Sequence, residues 1–228
     1  MKSYSYKRMI MENIFNYDNK FFRALNKLVD CVLLSAAWLI CCIPIFTIGA
    51  STTAMYYAAH KTLVRGKGYI LSSFWEGFKS NFKRSTGIWL IQLVIMGVLA
   101  GDIYITHAML KAGNNMGIIY YLFLIMMVYA VIWMIYTVSY EARFENTWKN
   151  IIKNAAIFSV LHLPWSICML ALLLVVIFVI IVMPPFIFLF PAALFASYAM
   201  ILEKKVFRKY MSESDLQKEL EDDKYDET

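Results

Sequence analysis

Apolar positions in this chain fall into long runs, and strict alternation is rare. Residues 29–59 carry a charge only at Asp30. That run is too long for one crossing, because a helix spans the hydrocarbon core in about 20 residues. Pro44 lacks a backbone donor and clashes with the preceding turn, so it predicts a break. The pattern gives a helix over 25–43, a tight turn IPIFTIG and a return helix over 49–64. Spans follow over 86–108 and 118–140, separated by the turn-like KAGNNMG. The last run, 155–202, is again two spans long, turning near Met183-Pro184-Pro185, with Pro191 just inside the final helix. Pro164 is expected to bend the fifth span.

Wetter segments separate these runs. In residues 61–84, Phe74, Phe78 and Phe82 share one helical face while Lys79, Lys83 and Arg84 supply charge, the pattern of a short helix lying in the membrane interface. FENTWKNIIKN repeats it: Phe144, Trp148 and Ile152 follow the same spacing, and Lys149 and Lys153 match Lys79 and Lys83 at a constant offset of seventy residues. Each copy leads into an apolar span, so a weak internal repeat is expected. Ahead of the first span, Asp18 is placed to cap a helix carrying Phe21, Leu25 and Leu28 at helical spacing.

The expectation is an all-α polytopic transmembrane helix bundle of about six spans, with five or four as alternatives, and two short interfacial amphipathic helices. Residues 1–210 form one transmembrane domain and 211–228 an acidic, disordered cytosolic tail. Composition agrees: the chain is 61% hydrophobic and 17% charged, against about half and about a quarter in soluble domains. The formal net charge of +6 is unevenly spread, since half of the acidic residues lie in the tail. The N-terminal lead and the segments 61–84, 141–154 and 203–209 are basic, whereas the opposite turns hold only Lys111. The positive-inside rule then places both termini in the cytosol. Such a body suits a lipid bilayer with anionic headgroups, and no separate basic domain suggests nucleic acid.

Candidate chemistry is sparse. Asp30, at the start of the first span, Gln92 and Asp102 are polar groups in apolar runs, where an ionisable side chain is costly enough to suggest a role. Asp102 also lies close to the outer loop, near His107 and Lys111, so an interfacial position is equally consistent. Gly97 and Gly101 form a GxxxG, and Ala50, Ala54 and Ala58 a small-residue groove, both expected to serve close helix packing. Tyr129, Trp133, Tyr136 and Tyr140 form an aromatic stripe, read first as packing and second as a cavity wall for sugar rings. Cys31, Cys41, Cys42 and Cys168 match no metal or redox spacing. No nucleotide-binding, serine-hydrolase or metalloprotease motif is present, and the three histidines lie far apart in the chain. An enzyme is therefore not expected, and neither is a cofactor or metal.

The stretches FNYDNKFFRALNKL, WLICCIPIFTIGASTTAMYY and GYILSSFWEGFKSNFKRSTGIWL resemble the YesL family of bacterial membrane proteins. That resemblance implies a multi-pass protein of the bacterial plasma membrane. Its relatives are typical of Gram-positive bacteria and are often encoded beside carbohydrate-uptake transporters, glycoside hydrolases and sugar-sensing regulators. No catalytic residues carry over. The expected role is accessory or regulatory to carbohydrate uptake or utilisation. A sugar importer or membrane sensor would dock on Phe74, Phe78, Phe82, Lys79, Lys83, Trp148, Lys149 and Lys153. The alternative is a small transporter or channel for a sugar-related solute.

Overall fold

A computed structural model describes residues 20–112, 114–144 and 147–210. The N-terminal lead, the Asp18 cap and the acidic tail lie outside the described residues. Among those described, all regular structure is helical. This is the secondary structure that satisfies every backbone group within one segment when water is excluded.

Helix α1 (Lys20–Cys41) stops before Pro44. The Thr47 hydroxyl closes its open end by donating to the carbonyls of Cys41 (2.6 Å) and Pro44 (2.7 Å). Helix α2 (Ile48–Ala58) then returns against α1, and the Ser51 hydroxyl and Trp38 indole tie the two together. This helix is buried nearly all round, so its small residues matter: Ala50, Ala54 and Ala58 have no exposed surface. A methyl group on Gly49 would sit 2.9 Å from the Ser85 carbonyl oxygen and closer still to Trp89, so only glycine fits there.

Beyond α2 the chain widens into one π-helical turn, Ala59–Val64, and then reverses through Gly66 and Gly68 at φ 73° and 72°. Helix α3 (Ile70–Lys111) follows as one unbroken element. The first expected interfacial helix is thus the leading part of a long helix. The step from charged to apolar side chains at residues 84–86 changes solvent preference, but it contains no proline to interrupt the backbone ladder. Helix α4 (Ile119–Arg143) runs back along α3, and α5 (Trp148–Leu161) is a separate short helix. Pro164 stands in the first turn of α6 (Leu163–Val182), after a break at His162, where its missing N–H costs nothing. A 3-10 turn, Pro184–Phe188, leads into α7 (Phe190–Lys205).

Among the described residues, four helical stretches are long and apolar enough to cross a membrane: Ala24–Cys41, Ile70–Lys111, Ile119–Arg143 and Leu163–Val182. They expose large apolar side chains such as Ile40, Val94, Ile125 and Phe178, as a lipid-facing surface does. Helices α2 and α7 are shorter and more enclosed. The hairpins are staggered. The Trp89 indole donates to Ile45 at the tip of the α1–α2 hairpin, yet α3 continues to Lys111, about 33 Å of further helix.

Within this chain the GxxxG seats no neighbouring helix: Gly97 and Gly101 are exposed, and a methyl group on either would meet nothing within 4 Å. The glycines that admit a neighbouring helix are Gly49 and Gly77, the latter against Tyr57. Gly49→Ala is expected to destabilise the detergent-solubilised protein by about 1–3 kcal/mol through overpacking strain and so to lower its thermal midpoint. Gly97→Ala should leave it unchanged or raise it; heating followed by size-exclusion chromatography measures both.

Candidate functional site at the charged end

The ends of α2, α4 and α7 converge on two clusters of charge. In the first, His60 comes from the π turn, Arg65 from the residue after it, Arg143 from the last turn of α4 and Glu203 from the last turn of α7. His60 Nε2 lies 2.7 Å from Glu203 Oε2, Arg65 Nη2 donates to Glu203 Oε1 at 3.1 Å, and Arg143 Nη1 faces His60 Nδ1 at 3.4 Å. A guanidinium can only donate. Nδ1 must therefore accept, and the network assigns a neutral imidazole donating from Nε2 to Glu203. Burial pushes the Glu203 carboxyl up, but the His60 hydrogen bond and the charges of Arg143 and Arg65 outweigh it and hold it below the usual carboxylate range. The Tyr56 hydroxyl, one helical turn before His60, is buried with no hydrogen-bond partner among the described residues.

The second cluster lies between α2, α3 and α4. Glu141 has only 2% of its side chain exposed, and Arg84 Nε donates to its Oε1 at 3.0 Å. Arg84 Nη2 also donates to the Glu141 backbone oxygen and to Asn81. Thr53 Oγ1 approaches the other carboxylate oxygen at 3.5 Å. Next to this pair is a cavity of about 10 Å³, lined in part by Thr53, Ser85, Gln92, Thr137 and Glu141. That is room for about one water. Gln92 Nε2 donates to Thr137 Oγ1 at 3.0 Å, while the buried Ser85 hydroxyl has no partner among the described residues. A polar seam therefore runs from Gln92 to Glu141 along this cavity.

Of the polar residues singled out in the sequence, only Gln92 joins this seam. Asp30 and Asp102 are half-buried and make no ion pair among the described residues. His107 stacks on Tyr120 at 5.4 Å rather than neutralising Asp102. The aromatic stripe is packing: Tyr129 and Trp133 donate to α5 carbonyls, while Tyr136 and Tyr140 accept from Ser166 and Asn154. The docking set divides. Phe74 is fully buried against α1 and α2, so it offers no docking surface. Phe78 and Phe82 extend a ring ladder from it and are half-buried. Lys79 and Lys153 are exposed, and Lys83 is brought beside Trp148 and Lys149.

His60, Arg65, Arg143, Glu141 and Glu203 were not singled out from the sequence. The available signal was their position: each ionisable residue stands at the end of an apolar run, on the side where the positive-inside rule gathers charge. Arg84→Met leaves a buried carboxylate unpaired and is expected to cost about 3–5 kcal/mol of stability. The double variant Arg84→Met/Glu141→Leu should recover most of that loss, as a double-mutant cycle on thermal midpoints would show.

The model of a protein family described as of unknown function, DUF624, matches residues 31–103, which cover the second half of α1, all of α2 and most of α3. Comparison with curated proteins and with solved structures gave no match.

Proposed function

We propose that this chain is a six-crossing protein of the bacterial plasma membrane, with both termini cytosolic, that acts as an accessory or regulatory subunit in carbohydrate uptake. In this reading α1–α2, α3–α4 and α6–α7 are three crossing hairpins, and α5 lies in the cytosolic interface. The convergence of the α2, α4 and α7 ends on one charged network supports that topology. The carbohydrate context rests on the resemblance to the YesL family.

One observation carries the accessory role. The residue before α3 and the helix's leading part expose Tyr69 (86%), Trp75 (50%) and Lys79 at the charged end. These side chains lie before the apolar stretch of α3 begins, so a partner reaches them from the cytosol. A photo-crosslinking residue at Trp75 or Lys79, in cells grown on different sugars, should capture a membrane-transport or sensor component. Absence of any adduct, together with a partner-free monomer after mild solubilisation, would refute this role.

The polar seam favours a second reading, a small transporter or channel. Its centre is Glu141, with Gln92, Thr53, Ser85 and Thr137 around the cavity. In proteoliposomes this reading requires solute or proton movement that falls at least tenfold in Gln92→Leu. No movement in the wild type would remove it.

A further inference from the structure

An open cleft of about 630 Å³ separates α3 from the start of α5. Its walls are Lys83 and Arg84 on one side and Thr147, Trp148 and Lys149 on the other, over a floor of Gly87 and Ile88. Arg84 is engaged by Glu141, so the charge that faces outward comes from the exposed Lys83 and Lys149. Lys79 and Lys153 follow one turn away on the same helix faces, each four residues from its neighbour. The nearby acid Glu76 is already bound to Lys61 at 2.8 Å. The cleft therefore has a positive mouth.

Its other end is apolar. Directly beyond Gly87, α3 exposes Leu90, Ile91 and Val94, and it carries no further charge until Asp102. Trp148, half-exposed beside the lysines, is the residue type that settles at the boundary between headgroups and hydrocarbon. At Gly87 the floor faces open space, since a methyl group there would meet nothing within 4 Å. A positive mouth that opens onto an aliphatic helix face fits a molecule with an anionic head and hydrocarbon tails.

We propose that this cleft seats the phosphate headgroup of an anionic membrane phospholipid between Lys83 and Lys149, with its acyl chains lying along Leu90 and Val94. A phosphate diester takes hydrogen bonds from both ammonium groups, and the Trp148 ring covers the glycerol region. This site is independent of any carbohydrate role.

Native mass spectrometry of the full-length, delipidated protein, titrated with phosphatidylglycerol or phosphatidylcholine, tests it. The wild type should retain phosphatidylglycerol about tenfold more strongly. Lys83→Gln/Lys149→Gln should abolish that preference, whereas Lys79→Gln/Lys153→Gln should keep most of it. Gly87→Phe, whose Cβ enters open space, puts a ring into the cleft and should weaken binding with all lysines in place. Equal retention of the two lipids by the wild type overturns the proposal. So does equal loss in both lysine pairs, which would mean diffuse surface charge. Complete displacement by millimolar inorganic phosphate also overturns it, since the site would then take a free anion.

Discussion

A carboxylate in an apolar bundle is stable only while cations hold it, and Glu203 is where this protein meets that requirement. Its two oxygens are divided between Arg65 and His60, and His60 is in turn held by Arg143. These groups belong to three helices far apart in sequence, so satisfying one charge fixes the relative positions of α2, α4 and α7. Apolar packing between helices in lipid has no such selectivity, because hydrocarbon tails solvate leucine as well as a neighbouring helix does. The Glu141–Arg84 pair does for α3 and α4 what Glu203 does for the other three. Buried charge here sets register, while small residues set distance.

Around this fixed end the helices differ in reach. The α1–α2 hairpin turns beside Trp89, whereas α3 and α4 continue together well beyond it. The lipid-facing surface is therefore stepped, and the lysine-lined cleft lies where α3 changes from charged to aliphatic. The same step accounts for the outward-facing glycines: past the shorter hairpin, α3 has only α4 beside it, and Gly97 and Gly101 are exposed.

The sequence showed clearly that the chain is helical, with runs long and apolar enough to cross a membrane, and it showed where prolines turn it. Pro44 and Pro184–Pro185 act through a missing donor and a fixed φ, which are local properties that a sequence displays directly. The continuity of α3 was hidden because polarity was read as a boundary, although a helix ends only where its backbone ladder is interrupted. Phe74 was misplaced for a related reason: its ring ladder with Phe78 and Phe82 is real, but which face a partner helix covers is decided by tertiary packing. Most of the candidate site was illegible. The pairing of His60 with Glu203 spans 143 residues of chain, and no spacing rule connects them.

The π turn at Ala59–Val64 has one further consequence. Its bond from the Arg65 N–H to the His60 carbonyl closes over five residues instead of four, so the turn holds one residue more than a regular helix would. In a regular helix, residues five apart stand about 140° from each other around the axis, whereas the wide turn brings Arg65 nearly over His60, so that both reach Glu203. In this segment the width of the turn is constrained more tightly than its composition: a substitution between His60 and Arg65 changes one side chain, whereas narrowing the turn to a regular helix at the same chain length would carry the guanidinium away from the carboxylate.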